Sequence, residues 1–307
     1  PICRMVRVRV ISPGWNTTVQ DLGRPGFGRF GIPISGAMDS ESMALANQRA
    51  GNPPGAALLE GMGGGGAFEF LDHATAGVAG PGLSVTVNGQ EVNHTAGFTL
   101  RSGDLIRLHA RSEGMYQYLS IYGTLSAAEW LGSQSTCLVA GQGGFQGRAL
   151  RKGDVVSWED SAFHPDLIQE VSVAEPVDSE YPNQNSQNTE NERNESVFSI
   201  LPGPEWHWFG SVAREAFFAA SFTISSQSNR SALRLEAPFG LSRAMPPLTS
   251  SPVCPGVIQW PPGGKPIIVM KDGQTIGGYP RMGALHTSDL SRLAQIRPGQ
   301  SIRFRPT

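Results

Sequence analysis

The chain is short of charge, of cysteine and of long apolar runs. Charged residues fill 16% of its 307 positions, well below the usual quarter, and the net charge is -2. Without a long basic stripe there is no field to hold a phosphate backbone, which argues against nucleic acid as a partner. No stretch approaches the roughly 18 apolar residues that a membrane-spanning helix needs. The opening "PICRMVRVRVISPGW" alternates Arg and Val instead of forming a signal peptide's apolar centre, so a cytoplasmic location is expected. Cys3, Cys137 and Cys254 are odd in number and far apart, which fits neither a disulfide framework nor a zinc ribbon, and reduced thiols are expected.

What is abundant is turn chemistry, with 38 glycines and 23 prolines. Strands dominate between the turns. In "VRVRVI", Val6, Val8 and Val10 share one face and Arg7 and Arg9 the other, the period of a half-buried strand. Asn88-Gly89, between β-forming residues, accepts the positive φ angles of a two-residue hairpin turn. Three segments repeat one device, "LRSGDLIRLH", "LRKGDVVSW" and "IRPGQSIRF": a basic residue, a spacer and a glycine turn leading into an alternating strand. Helices are expected to be few. Asp39 or Ser40 can cap "SESMALANQRA" before Gly51, Ser126 and Glu129 form a capping box for "SAAEWL", and Thr287 or Ser288 can open "SDLSRLAQ". The polar stretch 175–196 has almost nothing to bury, which predicts a domain at 1–174, a linker at 175–196 and a second domain at 197–307.

Standard catalytic signatures are missing. "GFGRFG" and "GMGGGG" match the dinucleotide fingerprint, but the second lies between two strand-like segments and neither feeds the helix that the fingerprint requires. There is no Walker A lysine motif, HExxH or GxSxG, and the six histidines are scattered away from ligand spacing. The candidates are instead polar groups in glycine-rich turns. "TTVQDLGRPGFG" sets Gln20, Asp21 and Arg24 beside Gly23 and Gly26. Asp21 can serve as a base or metal ligand, or simply cap its own turn; Arg24 can grip an anion, or pair nearby. "SSQSNR" adds Asn229 and Arg230, and "GVIQWPPGGKP" adds Gln259. The densest cluster is "KDGQTIGGYPRMG", residues 271–283, where an apolar strand ends at Met270.

These motifs occur in the order found in a bacterial family. "TTVQDLGRPGFGRFGIPISGAMD", "LANQRAGN", "GGFQGRALRKGD", "LPGPEW", "SSQSNR", "GVIQWPPGGKPIIVMKDGQTIGGYPRMG" and "DLSRLAQIRPG" resemble the family of the 5-oxoprolinase C subunit, also called PxpC, KipA or allophanate hydrolase subunit two. That resemblance implies a mainly β fold of two cyclophilin-like β-barrel domains with a few short helices. It implies two partners, the PxpB- or KipI-like B component and the PxpA-like A component, with which 5-oxo-L-proline is hydrolysed to L-glutamate using ATP and Mg²⁺. Relatives in urea carboxylase act on a biotin-borne carboxyl group, and a KipA-like relative binds a kinase inhibitor; these are the alternatives.

Opening a lactam needs an activated amide, for which ATP can phosphorylate the carbonyl oxygen; cations, backbone N–H groups and carboxylates assist such a transfer. On that chemistry Asp21, Arg24, Asp272, Gln274, Thr275 and Tyr279 are expected to be catalytic. Gln20, Asn229, Arg230, Gln259, Lys271, Gly277 and Gly278 are expected to bind substrate or phosphate, and Mg²⁺ carried with ATP is expected at Asp21 or Asp272. Ile276 departs from the family's usual second threonine in "QTTGGYP", and Gly273 and Thr124 also depart. An early turn and a late loop are thus expected to build one charged pocket.

Overall fold

The computed structural model describes residues 4–111, 113–160, 195–237 and 248–307, so all but the last two residues of the expected linker lie outside the description. The chain separates into two compact units, Pro1–Arg24 with Ser35–Pro182, and Pro25–Ile34 with Asn183–Thr307. It is mainly β, with three short α-helices among the described residues.

The first unit has two antiparallel sheets around one apolar core. The seven-stranded sheet runs Thr124–Leu125, Val155–Asp160, Arg4–Pro13, Gly66–Phe70, Leu105–Ala110, Leu83–Val87, Gln90–Glu91. The five-stranded sheet runs Asn16–Gln20, Leu58–Met62, Tyr116–Ile121, Ala74–Ala79, Phe98–Leu100. The alternation of the first strand is realised. Val6, Val8 and Val10 are buried in the core with Phe68, Phe70 and Trp158, while Arg7 and Arg9 pair outside with Asp72 at 2.8 Å and Glu69 at 2.7 Å. Asn88 and Gly89 both take positive φ, 51° and 84°, and join paired Val87 and Gln90 as a hairpin. "GMGGGG" connects the strands Leu58–Met62 and Gly66–Phe70, as its context requires.

The three repeated segments are one turn used three times. Gly103, Gly153 and Gly299 have φ of 93°, 91° and 89°. In each, the residue after the glycine accepts from the backbone N–H of the basic residue at 2.7 Å: Asp104 from Arg101, Asp154 from Arg151, Gln300 from Arg297. Each glycine N–H donates at 2.8 Å to another strand, at Phe70, Val10 and Ile224. The device therefore fixes how a strand enters a sheet in both units.

Helix α1, Ser40–Ala50, starts at Asp39, whose carboxylate accepts from the N–H groups of Glu41 and Ser42, and ends at Gly51 with φ 84°. It lies directly on the strand Ala74–Ala79 because Gly77 has no side chain: a Cβ there would stand 2.3 Å from the Ala46 carbonyl oxygen. "SAAEWL" is not a helix. The N–H groups of Ala128 and Trp130 donate instead to Gly144 and Ser133, each at 2.9 Å, and six residues gain too few helical bonds to compete with that pairing.

In the second unit seven strands close into a barrel: Ser196–Pro202, Arg281–Leu285, Val257–Gln259, Ile267–Val269, Ala232–Glu236, Phe222–Ile224, Ser301–Pro306. The first and last of these pair in parallel; their neighbours pair antiparallel. Helix α2, Ser211–Ala219, has no side-chain cap and carries no start signal; Phe217 anchors it by stacking on Phe304 at 5.0 Å between centroids. Helix α3, Asp289–Ala294, follows Ser288 as expected. No helix of the described residues is long and apolar enough to cross a membrane. Cys137 is a buried free thiol and Cys254 an exposed one; Cys3 lies outside the described residues.

Candidate functional site

The early turn is held inside the first unit. Asp21 accepts four bonds: from Gly23 N at 2.8 Å, Ser133 Oγ at 2.6 Å, Gln134 N at 2.7 Å and Ser135 Oγ at 2.5 Å. It therefore caps its own turn and pins the segment 133–135. Arg24 is 1% exposed; its guanidinium donates to the carbonyl oxygens of Trp130 at 3.2 Å and of Ser135, and lies 5.0 Å from the Trp130 ring centroid. Gln20 is fully buried and donates to Thr18 Oγ1 at 2.9 Å, with its own Oε1 unpartnered.

Near this turn the first unit contains a cavity of about 450 Å³, lined by Asp21, Asn52, Tyr122, Thr124, Glu129 and Gln134 among others. That volume is in the range of small-molecule sites.

The late loop belongs to the second unit. Arg230 and Asp272 form a bidentate pair, Nε to Oδ2 at 2.7 Å and Nη2 to Oδ1 at 3.2 Å, with both side chains at most 5% exposed. Backbone bonding reinforces it, since Asp272 N donates to the Arg230 carbonyl oxygen at 3.0 Å. Asn229 makes a local turn by accepting from Ser231 N at 2.8 Å and Ala232 N at 3.2 Å. Lys271 is engaged within the chain, and Tyr279 stands 39% exposed. The Thr275 carbonyl oxygen accepts from Val253 N at 2.9 Å, and the strand Ile276–Gly277 pairs with Ser251–Pro252. Gly278 lies against Leu248 and Ser250, where a Cβ would come within 3.2 Å of the Leu248 carbonyl oxygen.

Gln259 and Gln274 meet beside Gly277. Gln274 Nε2 donates to Gln259 Oε1 at 3.1 Å, and Gln259 is fully buried with an unpartnered Nε2. The early sequence also reaches this unit: Pro25–Ile34 belongs to it, and a Cβ on Gly28 would lie 3.9 Å from Thr275 Cβ.

One charged pair escapes a reading of the sequence. Arg281 donates to Glu205 through Nε at 2.8 Å and Nη2 at 2.7 Å, and through its backbone N at 3.1 Å. Those bonds hold the Glu205 carboxyl below the usual glutamate range against the opposing effect of burial. Arg281 is raised correspondingly by the bond to Glu205. The signal is nonetheless present, because Glu205 sits in "LPGPEW" and Arg281 ends the glycine-rich loop.

Both carboxylates expected near Mg²⁺ are already engaged by protein donors. Asp21 has four donors and both oxygens of Asp272 face Arg230. Among the described residues no three His, Cys, Asp or Glu side chains converge as a metal site. A Mg²⁺ carried with ATP takes one or two carboxylates beside phosphate oxygens, and Asp21 or Asp272 would have to share it with the donors that each already holds.

The model of the carboxyltransferase domain, subdomain A and B, matches residues 30–306. The chain belongs to that family. It is 33% identical to the C subunit of 5-oxoprolinase from Escherichia coli K12, over 97% of this chain and 90% of that protein. The crystal structure of Kluyveromyces lactis urea carboxylase is similar with a TM-score of 0.82 at 29% identity, over 98% of this chain but 27% of that one. The crystal structure of TTHA0988 is similar with a TM-score of 0.78 at 29% identity, and this chain spans 56% of it.

Proposed function

We propose that this chain is the C-type component of an ATP-dependent 5-oxoprolinase, acting with B- and A-type components to hydrolyse 5-oxo-L-proline to L-glutamate. The observation that carries the reading is the match along 90% of a protein that bears that name, against 27% of the urea carboxylase chain. Within the chain, the loop from Lys271 to Pro280 supplies the ligand contacts, with Gln259, Gln274 and the glycines 277 and 278 at its centre. The pair Arg230–Asp272 positions the start of that loop. Asp21 and Arg24 hold the turn beside the first unit's cavity. Purified B- and A-type components should release glutamate from 5-oxoproline with ATP only when this chain is added; no gain on adding it would overturn the assignment.

A second reading is favoured by the carboxyltransferase family model and the 0.82 TM-score to urea carboxylase. In it the chain is part of a biotin-dependent carboxyltransferase acting on urea or another amide. Carboxyl transfer from a separate biotinylated carrier to urea, dependent on this chain, would support it over the first.

A further inference from the structure

We infer that Gln259 is the carbonyl-recognising residue of the late loop, and that the group it takes is the oxygen of an uncharged amide, not a phosphate. The inference rests on the reading of Lys271–Pro280 as a ligand loop and gives that loop its chemistry.

Gln259 ends the strand Val257–Gln259, where the pairing with Arg281–Leu285 slips between Ile258 and Gln259. A register slip of this kind re-aims the side chain that follows it. The side chain is fully buried, and its two amide atoms are not equivalent: Oε1 accepts from Gln274, while Nε2 keeps both of its hydrogens without an acceptor. A buried donor left so costs free energy, and such groups are uncommon unless something else supplies the partner.

Gly277 sets the geometry around that donor. A Cβ on it would lie 2.3 Å from Gln259 Nε2 and 2.9 Å from Gln274 Nε2, so the absence of a side chain is what lets the amides approach. Ser251, directly opposite Gly277 in the strand pairing, has a second buried polar atom, Oγ, with no partner. Gln274 is exposed and reaches Gln259 by a single bond, so it is the displaceable cover over the inner amide.

Charge selects the ligand. Arg230 is neutralised by Asp272 and Arg281 by Glu205, each through two side-chain bonds. Lys271 is not free either. A phosphate needs cations that are not already answered by carboxylates, whereas a neutral carbonyl oxygen is matched by an uncharged amide donor.

The test is a ¹⁵N–¹H titration of the whole chain with 2-pyrrolidinone, a lactam without a carboxylate, and separately with inorganic phosphate. The Gln259 side-chain resonances are identified by their NOEs to the Gly277 α protons. They should shift and saturate with the lactam and stay still with phosphate. In the reconstituted complex, Gln259→Glu, which replaces the donor with an acceptor, should raise KM for 5-oxoproline about tenfold with a smaller change in kcat. Movement with phosphate alone, or no movement with either, overturns the inference, and the wild-type titration decides the matter even if the variant folds poorly. The two readings fail separately. A complex that turns over 5-oxoproline while Gln259 ignores the lactam removes only the carbonyl subsite; a complex without turnover removes the 5-oxoprolinase assignment.

Discussion

At the scale of single residues, the glycine-rich turns hold two kinds of polar group, those bonded within the turn and those, such as Gln259 Nε2, without a partner in the fold. Asp272 is of the first kind. Replacing it with Asn removes the carboxylate charge facing the buried Arg230 and should cost about 3 kcal/mol, read by urea unfolding. Activities of Asp272 variants therefore need correction for the folded fraction before they say anything about chemistry. Glu205 gives a pH signature. Its carboxyl is held low in the folded chain by Arg281, so its contribution to stability is complete above the ordinary glutamate pKa and is lost as pH falls through the lower, folded value. Wild type should therefore lose stability on acidification below about pH 4.5 more steeply than Glu205→Gln, as thermal unfolding at several pH values would show. Equal slopes would deny the pair that role. Residue types and their clustering were legible in the sequence. The pairing was not, because Arg230 and Asp272 lie 42 residues apart and are brought together by strand packing and by the backbone bond between them.

Elements were legible where local chemistry and tertiary packing agree. The first strand, the Asn88-Gly89 hairpin and α1 each carry a local signal that the surrounding core confirms, the strand through alternation and the helix through Asp39 and Gly51. They were illegible where packing overrides a local signal or supplies one. "SAAEWL" has a capping box but is drawn into bridges, and α2 lacks a cap but is pinned by Phe217. The repeated turn supports a sharper expectation. Gly153→Ala places a Cβ at φ 91°, with nothing within 4 Å for it to touch, so its cost is backbone strain alone, about 1–2 kcal/mol by denaturant unfolding. Gly77→Ala should cost more, because there the Cβ would strike the backbone of α1. A reversed order would mean that the helix is not seated on that strand.

For the whole molecule, the mainly β class follows from the alternating strands and the glycine turns, whereas the barrel was expected only from the family resemblance. What no local pattern announced is that Pro25–Ile34 belongs with the second unit while Gln20, Asp21 and Arg24 remain in the first. The early motif is continuous in sequence, so periodicity offers no mark at the point where it changes unit; only contacts far along the chain, such as Gly28 beside Thr275, reveal it.

The central claim, that the loop around Gly277 carries ligand chemistry in a 5-oxoprolinase, is tested most directly by 5-oxoproline-dependent ATP turnover of the reconstituted complex containing wild-type or Gly277→Ala chain. The added methyl would stand 2.3 Å from Gln259 Nε2. The account predicts turnover with wild type and a loss of at least about a hundredfold with the variant at equal folded fraction, the scale of a misplaced binding group. Wild-type turnover matched by the variant would contradict it.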